Sequence, residues 1–317
     1  MIIGVDLGGT NLRAATFDGD SATPLRSHKE LVGEPRDPDR VIERVAVVCE
    51  QLAPGRDEVA VGVGIAAMLR DACGTVASSP HLRWRDVAFG QRLAARLGSR
   101  FRLRVCNDVD AIVWGEHVAG AARGCRDVLG VYVGTGIGAG VISGGRLVTG
   151  ASHCAGEIGH VKVRWDDAAA PCACGQRGCV EAYVGVSFVA ARIARELAAG
   201  ASPAIIAAAG GIERVTPSHV DAAAAAGDSW ALELWTELGP LLAIALGNAL
   251  AVLNSERLVL GGGLLGRCPM LYELVVTTLA IATPAASFEP LTIALAELGD
   301  DAGLVGSARL AQEPRAD

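Results

Sequence analysis

Residues 3–10 read IGVDLGGT and residues 129–136 read LGVYVGTG, two apolar stretches that each end in a glycine turn. Alignment of the two stretches brings identical residues together, namely Gly4 with Gly130, Val5 with Val131, Gly8 with Gly134 and Gly19 with Gly145. Self-similarity at so long a spacing indicates an internal duplication. The duplication predicts an α/β protein of two similar halves, each of which opens with a glycine-turned β-hairpin.

The composition is that of a globular α/β protein and excludes several classes of function. The 317 residues are 51% hydrophobic and include 40 glycines, which suits many tight turns between strands and helices. A net charge of -7 argues against a general nucleic-acid surface, because phosphate backbones require clustered basic residues. No basic segment precedes an apolar one at the N-terminus, so we expect no secretory signal and reduced cysteines in the cytoplasm. The apolar residues 238–253 contain Pro240 and Gly247, and we expect no membrane span there.

The first glycine turn has the features of a phosphate-binding turn. Gly8 and Gly9 let backbone N–H groups approach an anion, and Thr10 adds a hydroxyl donor. Asp6 would repel phosphate directly, but its carboxylate suits the hydration shell of a bridging Mg²⁺. The same pattern also fits a plain hairpin turn.

Two later glycine-rich segments add to this interpretation. GTGIGAG at residues 134–140 has the composition of a phosphate cradle and carries Thr135. The strand predicted at residues 257–260 runs into Gly261, Gly262 and Gly263, which would allow a flat ring or a phosphate to approach the backbone. A tight strand-to-helix turn explains the three glycines equally well.

Asn107 and Asp108 follow a predicted strand at residues 102–106, and an apolar-patterned helix begins after them. Ligands of open α/β sheets gather at such strand ends, which makes Asp108 a candidate catalytic carboxylate. An aspartate at this place also fits a simple helix N-cap.

A short segment at residues 155–181 concentrates potential metal ligands. Cys172, Cys174 and Cys179 form a C-x-C-G-x-x-G-C run, and His160 completes a set of three thiolates and one imidazole typical of structural zinc. The alternatives are a disulfide or unremarkable thiols, although a bridge between Cys172 and Cys174 would be strained. Glu157 and Glu181 flank the segment and suit a polyhydroxylated ligand, or else they orient the metal ligands.

The remaining elements are predicted from hydrophobic periodicity and turn residues. They are a helix at 39–52, a strand at 59–66, an irregular loop at 68–84, a helix at 180–199, short helices at 201–226, one or two helices meeting near Pro240 at 228–254, a strand at 291–295 and a last helix at 300–312 that packs on the first domain.

The sequence resembles the ROK sugar kinases, glucokinase-like proteins with the actin-type (ribonuclease H-like) ATPase fold. The resemblance runs nearly end to end, and its motifs are DLGGTN (6–11), ND (107–108), GTGIGAG (134–140), AGEIGH (155–160), CACGQRGCVE (172–181), GGG (261–263) and DDAGLVGSA near the C-terminus. It implies two similar ATPase domains with a cleft between them. The expected boundaries are residues 1–114 plus about 300–317 for the smaller domain, and 115–299 for the larger one.

The resemblance also implies roles for individual residues. Asp108 is expected to be the catalytic base, and a sugar is expected to contact Asn107, Asp108, Glu157, His160 and Glu181. Structural Zn²⁺ is expected on His160, Cys172, Cys174 and Cys179. ATP with Mg²⁺ is expected at the glycine turns, on Asp6, Gly8, Gly9, Thr10, Asn11, Gly134, Thr135, Gly136, Gly138, Gly261, Gly262 and Gly263. A homodimer or homotetramer is expected as well.

The predicted activity is ATP-dependent phosphorylation of a hexose, most simply of glucose to glucose 6-phosphate. Residues 66–71 (AAMLRD) and 80–82 (PHL) depart from the glucokinase pattern in loops that lie beside the sugar in the family, so fructose and N-acetylated hexosamines remain alternatives. A non-catalytic sugar-sensing regulator is a further alternative. Regulators of the family carry a DNA-binding domain before the first glycine turn, whereas here that turn begins within ten residues of Met1 and no nucleic-acid partner is expected.

Overall fold

A computed structural model describes residues 1–314 of the chain. The elements before residue 120 are β1 (Ile2–Leu7), β2 (Asn11–Phe17), β3 (Arg26–Leu31), α1 (Pro38–Leu52), β4 (Val59–Ile65), β5 (Met68–Leu69), β6 (Val76–Ser79), β7 (Trp84–Val87), α2 (Phe89–Leu97), β8 (Phe101–Asn107) and α3 (Asp108–Ala119). Those that follow are β9 (Val128–Val133), β10 (Ile137–Ser143), β11 (Arg146–Leu147), α4 (Glu181–Val184), α5 (Val186–Ala198), α6 (Pro203–Ala209), α7 (Pro217–Ala225), α8 (Ser229–Leu253), β12 (Arg257–Gly261), α9 (Pro269–Ala282), α10 (Ala285–Phe288), β13 (Thr292–Leu295) and α11 (Ala302–Leu310).

Two five-stranded sheets have the same strand order, which confirms the duplication. The first sheet runs β3-β2-β1-β4-β8 and the second runs β11-β10-β9-β12-β13. In the first sheet β1 and β2 form the predicted antiparallel hairpin, whereas β4 and β8 add in parallel. The mixed α/β fold predicted from the sequence is therefore confirmed.

The chain divides into two compact units. The first contains residues 1–128, 140–156 and 296–317, and the second contains residues 129–139 and 157–295. The chain thus passes between the units four times, and one of these passages falls within β10. This division is based on packing within each unit and does not test the domain boundaries predicted near residues 115 and 300, which stay a prediction.

The core of the first unit depends on the last helix. α11 packs on β1, β4 and α3, as predicted for the C-terminal segment. Gly62 on β4 makes this approach possible, because a Cβ atom at this position would lie only 1.7 Å from the carbonyl oxygen of Ser307. Real Cβ atoms do not approach oxygen so closely, so the sheet and α11 are held together at a distance that glycine alone allows.

The structure differs from the sequence prediction in one loop and one helix. The loop predicted at residues 68–84 contains β5 and β6, which form a three-stranded sheet with β7. The helix predicted at residues 180–199 is broken at Gly185 into α4 and α5. Strands of two to four residues give too short a periodic pattern to detect, and the break arises from a tertiary hydrogen bond described below.

The apolar helix α8 occupies the stretch predicted as one or two helices at residues 228–254. It runs through Pro240 without interruption, and within residues 1–314 it is the one helix with the length and hydropathy to cross a membrane. Half of its most apolar window is buried inside the protein, which is how the core helix of a globular domain behaves. Of the two alternatives left open at Pro240, one helix or two, the structure has the single helix, because burial of its apolar residues outweighs one lost hydrogen bond.

The substitution Gly62→Ala is expected to destabilise the first unit by about 3 kcal/mol, because either α11 or β4 must move to admit the methyl group. Urea unfolding followed by circular dichroism measures the change. Gly266→Ala serves as the control, since its Cβ would lie 3.4 Å from the nearest atom and fits without displacement. Equal unfolding midpoints for the two variants would contradict the close approach.

Candidate active site

The first glycine turn lies between β1 and β2 in the first unit. The Gly8 N–H donates to the carbonyl oxygen of Asn11 at 3.0 Å, which closes the hairpin. Thr10 is exposed at the tip of the turn, and Asn11 begins β2. Gly9 lies against His81, since a Cβ atom on Gly9 would be 2.8 Å from the Cβ of His81. The turn predicted from the sequence is therefore present, and its N–H groups stand beside a loop that carries an imidazole.

Asp6 is paired with Arg13, a contact that the sequence analysis missed. The two residues are direct partners across the hairpin, and Arg13 Nε donates to Asp6 Oδ2 at 3.0 Å while Arg13 Nη2 contacts the same oxygen. Arg13 Nη1 also lies 3.8 Å from the exposed carboxylate of Asp300. Counting outward from the glycine turn pairs these positions, so the hairpin register was the available signal.

Asn107, rather than Asp108, caps helix α3. The Asn107 side-chain oxygen accepts hydrogen bonds from the N–H groups of Val109 (2.8 Å) and Asp110 (3.2 Å), and its amide nitrogen donates to the carbonyl of Ala67 at 3.1 Å. Asp108 is the first residue of the helix. The alternative that Asp108 serves as the N-cap is therefore wrong, and its carboxylate is available for another role.

The carboxyl of Asp108 is shifted toward a higher pKa. Burial of the group, followed by the negative charge of Asp6, raises the pKa of Asp108 to about 6 against opposing effects from nearby backbone N–H groups and the charge of His81. A carboxylate that is half-protonated near pH 6 accepts a proton much better than an ordinary one. Such a shift is typical of groups that take part in proton transfer.

The second glycine turn is held by Glu181 within the second unit. Glu181 Oε2 accepts a hydrogen bond from the Ile137 N–H at 2.8 Å. A Cβ atom on Gly136 would lie 2.4 Å from the same carboxylate oxygen, so a side chain at this position would displace Glu181 from its hydrogen bond. The turn is closed by a hydrogen bond from Gly134 N–H to the Gly136 carbonyl at 2.9 Å, while Thr135 is exposed and Gly138 follows on β10.

The break between α4 and α5 also serves this turn. The Val186 N–H donates to the carbonyl of Gly134 at 2.9 Å, and Ser187 Oγ donates to the carbonyl of Thr135 at 3.0 Å. The start of α5 therefore fixes two carbonyls of the turn, and together with the bonds made by the Gly134 and Ile137 N–H groups it holds the turn in one conformation. This is the physical reason for the interruption at Gly185.

The three glycines after β12 have two different surroundings. Gly261 lies against the ring of Tyr132, and Gly262, at φ +88°, lies against the backbone of Val133 on the neighbouring strand β9. Close packing in a tight turn accounts for glycine at both positions. Gly263 is exposed and has no atom within 4 Å of where its Cβ would stand, so it leaves open space for a ligand.

His160, Cys172, Cys174 and Cys179 converge as the sequence predicted. One ligand atom from each of the four residues lies within 4.8 Å of the other three. The Sγ atoms of Cys174 and Cys179 are 3.7 Å apart, and Cys172 Sγ is 3.7 Å from His160 Nδ1. Thiolates about 2.3 Å from a tetrahedral zinc ion stand about 3.8 Å apart, so these residues fit a four-coordinate metal. All three cysteines are free thiols, and the disulfide alternative is not supported.

Glu157 and Glu181 adjoin the metal-ligand cluster. Glu157 Oε2 is 3.7 Å from His160 Nε2, the ring nitrogen that does not face Cys172, and Glu181 Oε1 is 3.7 Å from Cys172 Sγ. Burial raises the pKa of Glu157, the charge of His160 lowers it and the charge of Glu181 raises it again. His160 thus offers one nitrogen to the cluster and keeps the other beside a carboxylate.

The fold and the relatives of this chain identify it as an ATP-dependent sugar kinase of the actin-type ATPase fold. The structure is similar to that of a ROK family glucokinase from Streptomyces griseus, solved in complex with glucose and AMPPNP, with a TM-score of 0.80 and 29% identity over 98% of this chain and 99% of that one. The sequence is 31% identical to a glucokinase of Streptomyces coelicolor over 99% of this chain and 98% of the relative, and 30% identical to an N-acetylmannosamine kinase of Citrobacter koseri over 98% of each.

The sequence matches the ROK family over residues 2–314, and the chain belongs to that family. The predicted fold, family and enzyme class are thereby confirmed. The roles predicted for single residues in binding and catalysis stay predictions.

The substitution Asp108→Asn is expected to raise the melting temperature at pH 8 and to change it little at pH 3. The pKa of this carboxyl is about 6 in the folded protein and 3.8 in the unfolded chain, so the group favours the folded protein only while it is protonated. That advantage is complete below pH 3.8 and is lost as the pH rises through about 6, so above that range the ionised group destabilises the fold. Calorimetry at both pH values checks this against Asp20→Asn on an exposed turn. A fall in melting temperature at pH 8 would contradict it.

Proposed function

We propose that the protein is a glucokinase, which transfers the γ-phosphoryl group of ATP to the 6-hydroxyl of glucose. The observation that carries this proposal concerns Asp108, which follows β8 and does not serve as the N-cap of α3. The pKa of its carboxyl, beside Asp6 and the first glycine turn, is raised to about 6. The glucokinases among the relatives support glucose as the acceptor. The N-acetylmannosamine kinases favour an N-acetylated hexosamine as the second candidate, and fructose remains an alternative.

Asp108 would act as the general base. Phosphoryl transfer to a hydroxyl requires a group that accepts the hydroxyl proton while the oxygen attacks, together with neutralisation of the phosphate charge. No covalent intermediate on the protein is needed, because the sugar oxygen is itself the nucleophile. Asp108 then returns its proton to water after the product leaves.

The glycine turns would bind ATP through backbone N–H groups. Gly8, Gly9, Thr10 and Asn11 contribute the first turn, and Gly134, Thr135, Gly136 and Gly138 contribute the second. Gly261, Gly262 and Gly263 follow β12, where the open space at Gly263 suits the nucleotide. Asp6 would orient the hydration shell of Mg²⁺, and Arg13 holds the Asp6 carboxylate in a fixed position for that role.

The sugar would be held by carboxylates and an imidazole. Glu157, Glu181 and His160 Nε2 lie together in the second unit and suit adjacent hydroxyls, since charged acceptors bind hydroxyl protons strongly. Asn107 would contribute its second amide N–H, because its oxygen accepts from Val109 and Asp110 and its first N–H donates to Ala67.

Zinc would be held by His160, Cys172, Cys174 and Cys179. Four protein ligands saturate a tetrahedral ion, so the metal supplies structure rather than Lewis-acid chemistry. The cluster is contiguous with Glu157 through His160 and with Glu181 through Cys172. A fixed cluster therefore positions both carboxylates.

We also propose that the protein is a cytoplasmic homodimer or homotetramer and that it binds neither nucleic acid nor membrane.

An ATP-coupled assay across a panel of sugars tests the acceptor. Glucose is expected to give the highest kcat/KM, at least about tenfold above N-acetylmannosamine, N-acetylglucosamine and fructose, because a site that pairs every hydroxyl discriminates against an altered substituent. A higher kcat/KM for N-acetylmannosamine would replace the glucokinase assignment by the second candidate. No turnover of any sugar would contradict the proposal as a whole.

Asp108→Asn is expected to lower kcat by at least about 100-fold, because the amide keeps the shape of the side chain and loses proton acceptance. Glucose affinity, measured by calorimetry, should change far less, since the amide oxygen still accepts a hydrogen bond. The wild-type kcat/KM should fall about tenfold per pH unit below about pH 6, as the base becomes protonated, and this limb should be absent in the variant. A variant with more than about a tenth of the wild-type kcat would exclude Asp108 as the base.

A further inference from the structure

Lysine is rare in this chain, and one of its lysines contacts the metal-ligand cluster. Of the 28 lysines and arginines, only Lys29 and Lys162 are lysines. Lys162 Nζ lies 2.8 Å from Cys179 Sγ. We propose that Lys162 is a positioning residue that donates a charge-assisted hydrogen bond to the Cys179 thiolate and so retains the metal ion. The inference rests on the zinc site proposed above and adds a residue that lies outside the four ligands.

The backbone fixes this contact. Lys162 and Cys179 are partners in an isolated antiparallel bridge. On either side of the pair, the Val163 N–H donates to Gly178 at 2.9 Å and the Val180 N–H donates to Val161 at 3.0 Å. Directly opposed residues of an antiparallel pair project to the same face, so the lysine side chain is directed at the cysteine by register. A flexible surface lysine would have no such constraint.

Charge and burial make the contact between Lys162 and Cys179 important for the stability of the cluster. Cys179 is fully buried, so water does not solvate its thiolate. Three thiolates, a neutral imidazole and a divalent cation leave one net negative charge, and Glu181 adds another at 3.7 Å from Cys172. The ammonium of Lys162 offsets this excess where the site is most buried. Arg164, the next basic residue, is instead engaged by Glu237 at 3.9 Å and by the ring of Tyr183.

An ammonium suits this position better than the guanidinium that the chain uses almost everywhere else. A single sulfur atom offers one acceptor, whereas a guanidinium is a planar fork built for paired oxygens. The compact ammonium can approach the sulfur without displacing a ligand. The chemistry therefore accounts for a lysine in a chain otherwise supplied with arginines.

Zinc retention tests the proposal. Wild type, Lys162→Gln, Lys162→Arg and the control Lys29→Gln, on exposed strand β3, are loaded with zinc, and zinc release to a chromophoric chelator is timed. Lys162→Gln should release zinc about 10- to 100-fold faster than wild type, the usual range when a hydrogen-bond partner of a metal ligand is removed. Lys162→Arg should lie between the two because it keeps the charge, and Lys29→Gln should match wild type.

Cobalt substitution separates a direct effect on the sulfur from general loosening of the fold. The thiolate-to-Co²⁺ charge-transfer absorption should move to longer wavelength in Lys162→Gln, because a thiolate that loses a hydrogen bond holds its electrons less tightly. Lys29→Gln and Lys162→Arg should keep the wild-type band within a few nanometres. A lower melting temperature without a shifted band would mean that Lys162 only supports the fold, and would overturn the proposal.

The outcomes also distinguish this inference from the proposals that precede it. Equal release rates and equal spectra for wild type and Lys162→Gln would overturn the role of Lys162 while leaving the zinc site intact. A wild-type protein that binds neither zinc nor cobalt would overturn both. If Lys162→Gln does not fold, Lys162→Met, which keeps an apolar stem and removes the charge, takes its place: faster release with a shifted cobalt band supports the role of Lys162, and release at the wild-type rate overturns it. The acceptor sugar found in the kinase assay has no bearing on these measurements.

Discussion

The hydrogen bond from the Ile137 N–H to Glu181 is the contact on which the second unit's site depends. It ties the second glycine turn to the segment that carries the metal ligands, at 2.8 Å. The same carboxylate touches Cys172 through its other oxygen and raises the pKa of Glu157. One side chain thus couples the second glycine turn, the ligand cluster and a candidate sugar-binding group. A side chain at Gly136 would displace this carboxylate, which occupies the space where its Cβ would stand.

The repeated part of the fold could be predicted from the sequence because it depends on local pattern. An apolar strand followed by glycines gives a hairpin wherever it occurs, and two copies of the pattern give two sheets of the same order. The elements that were left open or mispredicted depend on contacts distant in sequence. The sequence left open whether one helix continues through Pro240, and it does because it is buried; the helix predicted from residue 180 breaks at Gly185 because Val186 donates to Gly134. Neither partner can be identified from a local window.

The candidate site divides in the same way. The ligand set His160, Cys172, Cys174 and Cys179 was predictable because its spacing is short and its chemistry is specific. Two basic residues that contact candidate site residues were missed. Arg13 contacts Asp6 across a hairpin, and Lys162 contacts Cys179 across an isolated bridge. Antiparallel register sets both contacts, and it becomes readable only once the turn is located. The capping question at residues 107–108 needed the helix start itself, which sequence patterns place only to within a few residues.

Asn107 and Asp108 show why adjacent polar residues at a strand end divide their work. A helix that begins at the end of a strand has unpaired N–H groups, and a nearby aspartate would be drawn to them and would acquire a low pKa. Asn107 takes those N–H groups with its amide oxygen, at no cost in charge. Asp108 is then governed mainly by burial and by Asp6, both of which raise its pKa. The backbone N–H groups of Val109 and Asp108 still lower this pKa, but burial and Asp6 outweigh them and leave the carboxylate basic enough to accept a proton.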